Sequence, residues 1–252
     1  MTHPLGLVVL AIAGLAAGAI NAAVGSGTLI SYPALLAIGL APIPANATNN
    51  VGVLFGSMSA TYSYRNLLRG RVRTLAPALV LAFAGSVGGA ELVLLLPEHV
   101  FKVVIPWLIL FATASVALGG RITRLVRRRY PHAHKSGRAL ATLAAPVGAY
   151  GGYFGAAQGV ILMAVLGVFY DEDPQAANAA KNLLAATANG AAALVFAFSG
   201  RVHWAVAAIL AVSATLGGLT GGALARRASP AVLRSLVIVV GLIAAISLLV
   251  AN

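Results

Sequence analysis

The chain contains no cysteine, which excludes a disulfide framework, a thiolate metal site and a cysteine nucleophile. Acidic residues are almost as scarce, with five in 252 positions, and charged residues of both signs reach only 9%. A soluble domain carries roughly 25% charged residues, so most of this surface is not built for water. No Ser-His-Asp set has plausible spacing, no G-x-x-x-x-G-K-[ST] loop is present, and no pair of acids lies inside an apolar segment. An enzyme is therefore not expected, and neither a cofactor nor a bound metal is. An ATP-driven pump would need a nucleotide domain for which this chain has no room.

What the sequence does have is apolar length. Sixty per cent of its residues are hydrophobic. Stretches without a charge run from Leu5 to Tyr64, Thr74 to Ala90, Val103 to Gly120 and Ala139 to Tyr170. A helix crosses a bilayer core with about 20 apolar residues, so each stretch suffices for a crossing. The alternation of a transmembrane β-barrel is absent. The expectation is an all-α polytopic membrane protein.

The formal net charge of +12 is gathered in short gaps between apolar segments. Thirteen of the 17 Lys and Arg residues lie within 65–73, 121–138 and 226–229. That pattern predicts an inner-membrane protein with these loops in the cytoplasm, where the 121–138 cluster can also meet anionic headgroups. Nucleic acid is not an expected partner. His132 and His134 fall in the same basic loop and read as solvated side chains. The start, Met-Thr-His-Pro, lacks the basic region of a signal peptide, and Leu5 onward reads as a retained membrane segment.

The chain also repeats itself. Ala45-Asn-Ala-Thr-Asn-Asn50 recurs as Ala177-Asn-Ala-Ala-Lys-Asn182, and the same shift places Gly27 on Gly159 and Ser57 on Asn189. Gly70-Arg-Val recurs at Gly200, and Gly85-Ser-Val-Gly-Gly-Ala resembles Gly218-Leu-Thr-Gly-Gly-Ala. Order is preserved, which points to duplication. Each copy opens with an apolar run broken by glycines, at Gly25-Ser26-Gly27 and at Gly155-Ala-Ala-Gln158-Gly159. The arms after the breaks, 28–40 and 160–170, are too short to cross, so each pair reads as a hairpin with its tip at depth. Glycines that merely let helices pack closely are the competing reading. Three longer segments follow in each copy, and cytoplasmic basic loops make the copies inverted. The divisions are a first repeat over 1–119, a basic loop over 120–138 and a second repeat over 139–252.

Polar residues inside membrane segments are the candidates for function. Asn178, Lys181 and Asn182 share one helical face, and Asn189 extends it. Asn46, Asn49, Asn50 and Ser57 form the matching stripe. A lysine at membrane depth costs at least ~2.5–3.5 kcal/mol. Snorkelling to the surface or pairing with Asp173 or Glu172 would explain it without a ligand; binding a small anion would explain its asparagine neighbours as well. Half-helix N-termini at the glycine breaks would add donors. Gln158 and Asn21 lie beside the breaks, where satisfying backbone groups is the alternative role.

The stretch from Asn21 through Gly25-Ser26-Gly27, Pro33 and Ala45-Asn-Ala-Thr-Asn49 resembles the signature of the TauE/SafE sulfite exporter family. Gly151-Gly-Tyr-Phe-Gly-Ala-Ala-Gln-Gly159 is similar to its second signature. The resemblance implies a secondary transporter of sulfite, thiosulfate or short organosulfonates such as sulfoacetate. Its expected substrate site draws on Lys181, Asn49, Asn50, Asn178, Asn182, Gln158, Asn21, Ser26, Gly27 and Gly159. A coupling ion (H+ or Na+), membrane lipids and a second copy in a homodimer complete the expected partners. A small-anion channel with re-entrant helix pairs is the alternative.

Overall fold

The computed structural model describes residues 4–129, 136–171, 173–227 and 230–251. Among these residues every regular element is a helix: α1 (Pro4–Ala23), α2 (Thr28–Ala37), α3 (Pro42–Ser63), α4 (Arg65–Leu68), α5 (Val72–Leu95), α6 (Glu98–Arg129), α7 (Gly137–Tyr153), α8 (Gln158–Phe169), α9 (Pro174–Ala197), α10 (Trp204–Arg227) and α11 (Pro230–Ala251). Five of them, α1, α5, α6, α10 and α11, contain spans long and apolar enough to cross a membrane. The chain is a multi-pass membrane protein.

Helices α3 and α9 are long enough to cross as well, but their asparagine stripes lower their hydropathy. The fold solves this by enclosure. The two helices pack on each other, with α1, α5, α7 and α10 around them. Helix α1 lies along α10, and α5 along α7. Small residues let these pairs approach: a Cβ on Gly85 or Gly89 would collide with the carbonyls of Ala145 or Ala149, and one on Gly18 or Gly217 with those of Ala214 or Leu15. Close backbone approach is how helices associate where lipid removes the hydrophobic driving force.

Both glycine breaks turn the chain back on itself. Gly27 sits against Ala17 and Asn21 of α1, while Gly6 at the start of α1 faces Ile38 just past the end of α2. Helix α2 thus retraces α1. At 10 and 12 residues, α2 and α8 span only ~15–18 Å at 1.5 Å per residue. Left-handed backbone makes the reversals, at Gly25 (φ 82°) in the first and at Gly155 (φ 74°) and Ala157 (φ 59°) in the second. Only glycine adopts such angles without strain.

Two ion pairs join early to late chain at opposite ends of α5. Arg71, just before α5, pairs with Asp171 after α8; Glu98, just after α5, pairs with Arg201 at 3.0 Å. One part of the reading from sequence needs correction. The basic segment assigned to a loop from residue 120 is helical as far as Arg129, because α6 runs on for 32 residues. His132, His134 and Lys135 lie outside the described residues.

Candidate anion site at the paired hairpin tips

The two glycine breaks meet. The N–H of Gly159 donates to the carbonyl of Gly25 at 3.0 Å, and a Cβ on either glycine would collide with the other's Cα. Backbone touches backbone at this point, which explains glycine at both places. Tyr32 of α2 seats its ring edge-on against Phe154 at 5.1 Å between centroids, a second tie between the hairpins.

Both polar stripes converge on these tips. In α9, Lys181 is 0% exposed, and its ammonium donates to the carbonyls of Asn21 at 2.9 Å and Ala22 at 3.2 Å. Asn178 also donates to Ala22 O at 3.2 Å, and Asn182 reaches the same oxygen at 3.5 Å. These are the terminal carbonyls of α1, which lack partners within their own helix. Positive charge at a helix C-terminus is favourable, so Lys181 needs no carboxylate there. Snorkelling does not describe this geometry, and Asp173 is not its partner; Glu172, the other acid weighed from the sequence, lies outside the described residues. Asp171 pairs with Arg71, and Asp173 accepts from the N–H groups of Gln175 and Ala176 at the start of α9.

The α3 stripe does the equivalent work on the other tip. Asn46 donates to the carbonyl of Tyr153 at 2.9 Å, the end of α7. Asn49 donates to Thr28 Oγ1 at 3.3 Å and accepts from Ser31 Oγ at 2.5 Å, holding the start of α2. Asn50 turns inward on its own helix and donates to Asn46 O at 3.2 Å. Asn21 donates to Ser57 Oγ at 2.8 Å. Gln158 donates to Val147 O at 3.3 Å within its own hairpin.

Two buried polar atoms in this shell have no partner: Ser26 Oγ and Asn178 Oδ1. Ser26 is 1% exposed and lies just before Gly27, the N-cap of α2. The N–H groups of Ser26, Gly27 and Thr28 also lack an acceptor among the described residues. A hydroxyl and three amide donors at a helix start make a place for negative charge. No carboxylate is among the buried polar side chains of the described residues, and none of these residues form a group of three or more metal-ligating side chains.

Thr28 and Ser31 were not singled out from sequence. Their position two and five residues after Ser26, on the face that meets Asn49, was the available signal. The carbonyls of Ala22 and Tyr153 carry no sequence signal at all.

Known proteins resemble the chain over nearly its whole length. The chain is 30% identical over 253 residues to "Probable membrane transporter protein YfcA" of Escherichia coli K12, covering 99% of this chain and 91% of that one. It is 29% identical over 244 residues to "Probable membrane transporter protein ORF9" of Sinorhizobium sp, covering 96% and 92% respectively. A Haemophilus influenzae protein named "Probable membrane transporter protein" is 28% identical over 235 residues, covering 92% and 90%. No solved structure matches the chain. The family model described as "Sulfite exporter TauE/SafE" matches residues 10–248. The chain therefore belongs to the TauE/SafE family of membrane transport proteins.

Proposed function

We propose that this transporter exports a small sulfur-containing anion, sulfite or a short organosulfonate of the sulfoacetate kind, across the inner membrane. The anion's oxygens take the open donors of Ser26, Gly27 and Thr28, with Lys181, Asn178, Asn182 and Asn49 around them. The observation that carries this reading is Ser26: a buried hydroxyl without a partner, beside unpaired N–H groups, in a shell with a lysine and no acid. An unsatisfied buried polar atom costs ~1–3 kcal/mol, and a ligand removes that cost.

In this reading the two halves are inverted repeats that rock around the tips, giving alternating access. Supporting it, α1 on α10 mirrors α7 on α5, and Gly70 and Gly200 share positive φ before their repeat-matched helices. The basic segments then face the cytoplasm, together with Arg71 and Asp171. Glu98 and Arg201 face outward. All the polar tip residues except Asn21 are buried, the arrangement of an occluded state.

Sulfite flux into liposomes carrying the purified protein tests the proposal. Saturable uptake, accelerated by sulfite on the opposite side, is expected. Flux that rises linearly without such exchange means a channel, and no flux of sulfite or sulfoacetate overturns the substrate class. An imposed proton or Na+ gradient in the same liposomes identifies the coupling ion.

A further inference from the structure

The far end of α6 carries a feature that transport does not use. Arg121, Arg124, Leu125 and Arg128 line a cleft of about 280 Å³. Spacings of three, four and seven residues put all four on one helical face. Leu118 lies one turn back on that face, and it and Leu125 are both exposed, Leu125 at 64%.

The depth of this face follows from packing. Thr123 stands beside Gly167 of α8, 3.9 Å from where its Cβ would be. Gly167 is four residues from Asp171, which pairs with Arg71. The arginines thus lie level with the polar loops at the Arg71 end of the molecule, where a bilayer's headgroups sit. Leu118 points to the hydrocarbon side of that level.

Nothing in the described chain neutralises them. Five acids exist in the whole sequence, none between residues 99 and 170. Glu98 pairs with Arg201, Asp171 with Arg71, and Asp173 caps α9. None of the three arginines makes an ion pair among the described residues. Guanidinium groups match phosphate oxygens in bidentate fashion.

We propose that this cleft seats the phosphate of an anionic phospholipid, with an acyl chain lying along Leu118 and Leu125. A free anion would match the arginines and leave the leucines unexplained. A lipid uses both. Basic pockets at the cytoplasmic headgroup level are a known way of holding such lipids.

Native mass spectrometry of the delipidated full chain, titrated with phosphatidylglycerol or phosphatidylcholine, tests it. Wild type should prefer phosphatidylglycerol at least about tenfold, and Arg121→Gln/Arg124→Gln/Arg128→Gln should lose that preference. At about fivefold per basic residue near an anionic surface, the triple change slightly exceeds about a hundredfold. The matching triple Lys variant, which keeps charge and guards against misfolding, should retain most of it. Leu125→Gln should weaken lipid retention with all three charges in place. Undiminished preference in the Gln variant overturns the site. Inorganic phosphate displacing the lipid at comparable concentration would mean a free-anion site and overturns the lipid assignment.

Discussion

Asn189 Nδ2 donates to Ser57 Oγ at 3.0 Å, and these two residues stand at the same place in the two sequence copies, 132 positions apart. In the inverted-repeat arrangement proposed above, equivalent residues can touch only close to the twofold axis. Ser57 also accepts from Asn21, so one hydroxyl serves both central helices and the first hairpin. Ser57→Ala leaves two amides without their acceptor. It should cost ~1–3 kcal/mol, read as a lower unfolding midpoint of the purified protein. An unchanged midpoint would show the three side chains to be independent.

At the tips, the expected effect is on flux. Gly159→Ala and Gly25→Ala each place a Cβ into the opposing backbone, and at Gly25 the positive φ adds strain. Both proteins should insert in the membrane at normal levels and transport at background. Wild-type rates in both would reduce the tip contact to incidental packing.

Lys181→Met separates two roles for one side chain. It keeps the length and apolar stem while removing the ammonium that holds Asn21 O and Ala22 O. The site proposed above predicts weaker sulfite binding by roughly ten- to a hundredfold, the loss of one charge-assisted hydrogen bond. Lys181→Arg should do partial damage, since a forked guanidinium does not fit where a compact ammonium did. Ligand titration of folded wild type and Met variant decides. Equal dissociation constants would leave Lys181 a staple on the end of α1.

Orientation is open to a direct chemical test, because the native chain has no cysteine. Arg69→Cys and Arg128→Cys should resist a membrane-impermeant thiol reagent in intact cells, and Glu98→Cys should label readily. The Glu98 change gives up an exposed ion pair worth only ~0–1 kcal/mol. Labelling at position 128 from outside would reverse the assigned topology and remove the argument for inversion.

Much of this architecture was legible because membranes punish ambiguity. Charge-free length reveals spanning helices, and short arms after Gly27 and Gly159 reveal hairpins. The stripes on α3 and α9 were visible because asparagine and lysine have no cheap reason to sit there. What those side chains hold was hidden: the carbonyls of Ala22 and Tyr153 belong to the backbone, which every residue shares. Ala157 gave no warning of its left-handed conformation, since a Cβ normally forbids it. The arginines after Gly120 read as a loop because clustered charge ends a membrane span, although it need not end a helix.

Among the described residues, Lys181 is the one charged side chain wholly removed from solvent, and α9 carries that charge wherever it moves. A potential of 100 mV acts on one elementary charge with ~2.3 kcal/mol. In the alternating-access cycle proposed above, an empty carrier would therefore feel the membrane voltage as it resets. In the proposed site a monovalent sulfonate beside Lys181 would cancel the load, and a dianion such as sulfite at high pH would reverse its sign. The voltage dependence of exchange thus reads out the valence of the cargo, without the cargo having to be seen.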